Sequence, residues 1–267
     1  MSDAAPTGHS ASLPRRWFLG VPFTPLTIGQ AAERVAAREP HAPFAFVVTP
    51  NAQHVVAAVG GDRRFSDAQA RAWLVLNDSR ILALLSRRLF GQDFPVATGS
   101  DLAAELFRTR IRPDDALTLI GGSDELERRL RERFGLSRIA RLNPPMGFYR
   151  DPAGIDRCAR FVRDHPARYV FLVVGAPQSE LVAQRILELG GAVGVGLCVG
   201  SALNFLTGIV RRCPGWMQRA GLEWLYRLAK NPFGHAGRVF VESPPILLIA
   251  LRAWLTPASR RDHGEPA

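Results

Sequence analysis

Five runs of the chain are apolar on consecutive positions and rich in β-forming residues: Phe44 to Thr49, Trp73 to Asn77, Ala116 to Ile120, Tyr169 to Val174 and Ala192 to Val199. Each predicts a strand, and helical patterns fit between most of them. A run such as "YVFLVVG" at Tyr169 to Gly175 is apolar on both faces, so its strand needs helices above and below it. Strands alternating with helices predict an α/β fold, a Rossmann-like parallel or mixed sheet with crossover helices. In such sheets ligands bind where strands end and helices begin.

The polar residues gather at those predicted junctions. They read "TPNAQH" at Thr49 to His54, "NDS" at Asn77 to Ser79, "TGSD" at Thr98 to Asp101, "GGSD" at Gly121 to Asp124 and "GAPQSE" at Gly175 to Glu180. Helix caps account for several of them: Thr98 with Asp101 fits a capping box, and Ser123 with Asp124 and Glu125 fits an acidic first turn. The carboxylate of Asp78, set between two apolar runs, has two readings. Either Asp78 or Ser79 caps the following helix, or Asp78 stands at the rim of a cleft. Gly194, Gly196 and Gly200 do not form G-x-G-x-x-G, so a nicotinamide site is not supported.

The length of 267 residues suits one large α/β domain or two small ones, and 47% hydrophobic with 22% charged residues describes an ordinary globular chain. Residues 1–16 are polar, contain proline and lack an apolar core segment, so they predict a disordered leader and no signal peptide. No apolar run reaches the ~18 residues of a spanning helix. A cytoplasmic protein is expected. Cys158, Cys198 and Cys213 lie far apart without metal-ligand spacing and read as reduced thiols.

The formal net charge is +10, from 34 basic and 24 acidic residues, and Lys230 is the sole lysine. Between Arg211 and Arg238 six basic residues stand against the single acid Glu223, a local excess of five. On a helix opened by Pro214 and closed at Asn231-Pro232, Arg219, Glu223, Arg227 and Lys230 form a charged stripe, while Met217, Trp224 and Leu228 lie on other faces. That pattern fits a packing helix with a solvated face or a membrane-surface element. No nucleic-acid motif accompanies the charge, so no nucleic-acid partner is expected. The chain divides into the leader (1–16), a Rossmann-like domain (17–208) and a basic amphipathic helical appendage (209–267).

The motifs "TPNAQHVV", "VATGSDL", "NPPMGF", "VVGAPQSE" and "RRCPGWMQRAGLEWLYRLAKNP", in this order, resemble the WecG/TagA/CpsF family of bacterial glycosyltransferases over roughly Leu19 to Arg238. The resemblance implies an inverting, metal-independent transfer of a sugar from a UDP-sugar donor to an undecaprenyl-diphosphate-linked saccharide, without a cofactor. It also implies a basic appendage that holds the protein at the anionic inner face of the cell membrane. By the resemblance, Asp78 matches the catalytic base, and Thr49 and Asn51 match polar residues of the same pocket. No D-x-D occurs to hold a metal-bound diphosphate, so helix amides and arginines would carry that charge: Gly99 and Ser100 after Thr98, with Arg211 and Arg212 nearest the sheet. Gly175, Gln178, Ser179 and Asn204 complete the implied substrate-binding set. The family's usual "PDG", "GAPKQE" and "FDF" read "NDS", "GAPQSE" and "LNF" here, and Val96 and Ala97 stand where an Arg often precedes "TGSD". A second reading is therefore a divergent homologue that binds a lipid-linked glycan or a partner transferase. Homo-oligomerisation stays open.

Overall fold

The computed structural model describes residues 14–214 and 245–256, together with positions 217, 225, 226 and 229. A small antiparallel hairpin comes first, β1 (Arg16–Phe18) and β2 (Val21–Phe23), followed by α1 (Ile28–Ala37), β3 (Ala45–Val48), α2 (Ala52–Val59), α3 (Arg63–Arg71) and β4 (Leu74–Val75). Then come α4 (Arg80–Phe90), α5 (Gly99–Thr109), β5 (Ala116–Ile120), α6 (Asp124–Phe134) and β6 (Arg138–Leu142). The remainder is α7 (Pro152–Asp164), β7 (Tyr169–Leu172), α8 (Gln178–Leu189), β8 (Val195–Cys198), α9 (Ala202–Leu206) and α10 (Pro245–Leu255).

Six strands form one sheet in the order β4-β3-β8-β7-β5-β6, and every pairing in it is parallel. All five predicted strands are present, and of the two expected arrangements the parallel one holds. Successive strand residues face opposite layers: Phe46, Val48, Val170 and Leu172 pack with α2, α3, α7 and α8, while Val47, Tyr169, Phe171 and Leu197 pack with α1, α5, α6 and α9. The continuous apolar runs follow from this double cover. β3 and β8 approach closely because position 196 is glycine; a Cβ there would lie 2.5 Å from the Phe44 ring.

Two elements exceed the sequence-based expectation. β6, "RIARL", lies at the sheet edge with its side chains only partly covered, so it lacks the apolar run that marks the other strands. The β1–β2 hairpin turns at Leu19 and Gly20, both with positive φ. It includes Arg16, and Arg15 donates to the carbonyl oxygens of Ala70 and Ala72, so the last two residues of the expected leader take part in the fold. Phe18, Val21 and Phe23 are fully buried, with Phe18 and Phe23 against Phe94 at ring-centroid distances of 5.7 and 5.3 Å. At roughly 1.5–3 kcal/mol for each buried apolar side chain, that packing outweighs the weak pairing of three-residue strands.

All three cysteines are buried and none is in a disulfide. The expected helix from Pro214 to Asn231 lies largely outside the described residues; Met217, Leu225, Tyr226 and Ala229 within it are helical.

Candidate functional site

The C-terminal ends of β4, β3 and β8 bring three of the polar motifs together. After β4, the Asn77 carboxamide oxygen accepts the Ser79 N–H at 3.0 Å, and the Ser79 hydroxyl caps α4 by accepting the Leu82 N–H at 3.3 Å. Ser79 therefore does the capping, and Asp78 is released for another role. The Asp78 N–H donates to the Pro50 carbonyl at 3.1 Å, which ties it to the loop after β3. Its half-buried carboxylate accepts the Gly99 N–H at 3.4 Å, at the first turn of α5. A helix N-terminus favours a negative group, so the helix end helps to hold the carboxylate.

Gly99 is also the closest approach of the third loop. A Cβ at position 99 would lie 3.0 Å from the Thr49 hydroxyl and 3.3 Å from the Val199 Cα, so only glycine lets the loops after β3 and β8 meet α5 this closely. The expected Thr98 cap is present, its hydroxyl accepting the Asp101 N–H at 3.0 Å. Of the first three amides of α5, Gly99 is bonded to Asp78 and Asp101 to Thr98. The Ser100 amide has no partner among the described residues and can meet an anion. Asp101 argues against an anion in the same turn, but Arg212 Nη1 reaches its carboxylate at 2.5 Å across 111 residues of sequence and offsets that charge.

The other expected residues divide. The Asn51 carboxamide oxygen caps α2, accepting the Gln53 and His54 N–H groups at 2.9 and 3.2 Å, so only its NH₂ is left for a ligand. Gly175 has φ +86 and lies beside Gln178, whose Oε1 would be 3.8 Å from a Cβ there; both stand at the end of β7, next to β8. The Ser179 hydroxyl points away from solvent, is buried, and donates to the Leu172 carbonyl at 3.0 Å, which locks α8 onto β7. Asn204 lies on α9, which packs against α5, and Arg211 is exposed.

Two features escaped the sequence-based reading. Glu180, next to Ser179, is buried, and desolvation pushes its carboxyl up to about 7. A glutamate in the polar first turn of a helix carries no sequence sign of such burial. On α10, Ile246 and Ala250 pack against α2 and α4 while Leu247, Leu248, Leu251 and Leu255 stay exposed. α4, which packs against α10, carries exposed Ile81 and Leu84 among exposed Arg80, Arg87 and Arg88. A concavity of about 440 Å³ between β6 and α7 lies at the opposite edge of the sheet from Asp78. Among the described residues no three His, Cys, Asp or Glu side chains gather as a metal site, and no helix is long and apolar enough to cross a membrane.

The chain is 27% identical over 195 residues to the N-acetylglucosaminyldiphosphoundecaprenol N-acetyl-beta-D-mannosaminyltransferase of Bacillus subtilis (strain 168), covering 71% of this chain and 73% of that one. A model of the glycosyl transferase WecG/TagA/CpsF family matches residues 16–260, which spans the hairpin, the whole parallel sheet and α10. The chain belongs to the WecG/TagA/CpsF family of glycosyl transferases.

Proposed function

We propose that the protein transfers a sugar from a UDP-sugar to an undecaprenyl-diphosphate-linked saccharide in the assembly of a cell-envelope glycan or exopolysaccharide, with inversion at the anomeric carbon and Asp78 as the base. The observation that carries this reading is the placement of one half-buried carboxylate beside a glycine-opened helix N-terminus. Asp78 is free of the capping role and lies within hydrogen-bond reach of Gly99. The similar Bacillus subtilis protein is named for a lipid-diphosphate acceptor, which supports the acceptor class.

The chemistry asks for two things at one place. A base must take the acceptor hydroxyl proton as the new bond forms, and the leaving diphosphate must be stabilised as its charge develops. Asp78 supplies the first. The Ser100 amide, the end of α5 and the Arg212 guanidinium supply the second, with Arg211 adjacent. Attack from the face opposite the leaving group, in one displacement, inverts the anomeric configuration. Both carboxylates nearest this helix end already bind protein groups, Asp78 the Gly99 amide and Asp101 Arg212, which favours a reaction without a divalent ion.

The acceptor is lipid-anchored, so the site has to work at a bilayer. The neighbouring helices α10 and α4 expose apolar side chains, the leucines of α10 and Ile81 and Leu84 of α4, beside the cationic Arg80, Arg87 and Arg88, and α4 starts two residues after Asp78. Such a surface suits reversible docking to anionic lipid, at ~1 kcal/mol per basic residue before screening. Trp216, Trp224, Arg219, Arg227, Lys230 and Arg238, expected to add to it, lie outside the described residues.

The test is acceptor-dependent release of UDP by the purified full chain, across a panel of UDP-sugars and lipid-diphosphate saccharides. Turnover with a lipid-diphosphate acceptor supports the enzyme. Tight binding without turnover across the panel favours instead the divergent, glycan-binding reading.

A further inference from the structure

Beside Pro50 of the Thr49–Asn51 loop, a small, partly enclosed space is lined by Val48, Pro50, His54, Phe65, Gln69 and Glu180, with no room for a water molecule. Three polar atoms buried among these residues have no hydrogen-bond partner: Nε2 and Oε1 of Gln69 on α3, and Oε2 of Glu180 on α8. Gln69 is 3% exposed and Glu180 5%. Buried polar groups left unpaired are costly, so three around one dry space call for a common partner. A carboxylic acid and a carboxamide are complementary in this respect. The acid O–H donates to the amide oxygen while the amide N–H donates back to the acid carbonyl, and one cyclic pair satisfies all three atoms. An ionised carboxylate could accept from Nε2 but would leave the Gln69 oxygen facing negative charge.

We propose that Glu180 is a positioning residue, held as the neutral acid in a paired contact with Gln69 that braces α8 against α3 behind the loop bearing Thr49, Asn51 and, through the Pro50 carbonyl, Asp78. The Asp78 N–H donates to that carbonyl at 3.1 Å, so a displacement of Pro50 moves the base directly. Two other titratable side chains stand near Glu180, Cys198 and His54. Cys198 on β8 is neutral, its thiol pushed well up by burial. His54 on α2 stacks on Phe65, with ring centroids 4.8 Å apart. The charged groups that α3 and α7 bring to α8 are paired elsewhere along it, Arg71 with Glu188 and Asp156 with Arg185.

The sign of the pH dependence follows. The folded carboxyl sits at about 7 against an ordinary 4.5, so the folded state binds the extra proton between those values. The stabilisation is complete below about pH 4.5 and is lost as pH rises through about 7, a change approaching ~300-fold in the unfolding equilibrium constant for this shift. The experiment compares full-length wild type, Glu180→Gln and Glu180→Ala in thermal unfolding from pH 5 to 8.5, and in transfer rate over the same range. Glutamine can form the same paired contact but cannot ionise. The expected result is that E180Q folds, loses the wild-type fall in stability between pH 5 and 7.5, and retains transfer further into alkaline pH, while E180A loses stability and transfer at every pH. An infrared carbonyl band of a protonated carboxylic acid, present in wild type at pH 6 and absent in E180Q, is the spectroscopic counterpart. An E180Q that fails to fold, or that keeps the wild-type pH dependence, overturns the proposal, as does an E180A matching E180Q in stability and rate. The proposal rests on the functional reading above only for the link to Asp78; the unfolding and infrared results do not depend on transfer, so either can fail alone.

Discussion

Two short stretches, "TGSD" at Thr98 to Asp101 and "GGSD" at Gly121 to Asp124, look alike and both open a helix after the sheet, yet they build different surfaces. In the second, Ser123 is the cap and Asp124, Glu125 and Glu127 fill the first turn of α6. Its glycines precede the helix at φ +96 and +81, and Gly121 is pressed against Val174, which a Cβ would meet at 2.7 Å. The acids of α6 then pair with nearby arginines, Glu125 with Arg128 and Arg129, Glu127 with Arg131 and Arg141. In the first, the cap falls two steps earlier, on Thr98, and the glycine becomes the first residue of α5, facing Thr49 and Asp78. A shift of cap position turns a self-neutralised helix start into one with an open amide and a carboxylate beside it.

Removing the Asp78 carboxylate, the base proposed above, should have the largest effect. Asp78→Asn is expected to lower transfer by roughly 10²–10⁴ with the melting temperature nearly unchanged, since Ser79 and not Asp78 caps α4. Rates with a lipid-diphosphate acceptor beside a thermal melt check both halves. Next comes the glycine contrast. Gly99→Val should push Thr49 or α5 aside and cost about 10²-fold in transfer, the usual scale for misplacement near 1 Å, while the protein still folds. Gly121→Ala should do the reverse, losing roughly 1–3 kcal/mol of stability from its left-handed backbone and the Val174 contact, with the folded fraction fully active.

Smaller effects separate the arginines. Arg212→Ala removes a charge-assisted contact at the α5 start and should weaken UDP binding about tenfold, read by calorimetry, in line with ~1.5 kcal/mol for such a bond. Arg128→Ala, on α6, removes two exposed pairs, to Glu125 and Glu132, and should leave both stability and UDP binding nearly unchanged.

This contrast also explains what the sequence could and could not reveal. The central strands were legible because double cover forces consecutive apolar residues, and Ala116 to Ile120 matches β5 residue for residue. β6 was not, because an edge strand needs no such run and two arginines interrupt the apolar residues of "RIARL". At the site, the meeting of Thr49, Asp78 and Gly99 follows from strand ends that lie side by side in a parallel sheet, so their motifs pointed to one place. The division of labour within each motif was hidden. Asn77, Asp78 and Ser79 are equally able to cap, and only the local backbone assigns the cap to Ser79. Ser179 looked like a ligand contact but turns inward to Leu172, and the Arg212–Asp101 pair spans too much sequence for any local pattern to show.

The most direct measurement is the anomeric configuration of the transferred sugar, read by NMR on product made by the full chain from a UDP-sugar and a lipid-diphosphate-linked saccharide, in the presence of EDTA. One displacement assisted by Asp78 at the end of α5 predicts product with the configuration inverted from the donor, formed at an undiminished rate in the chelator. Retained configuration, or turnover restored only by added manganese or magnesium, would contradict the account.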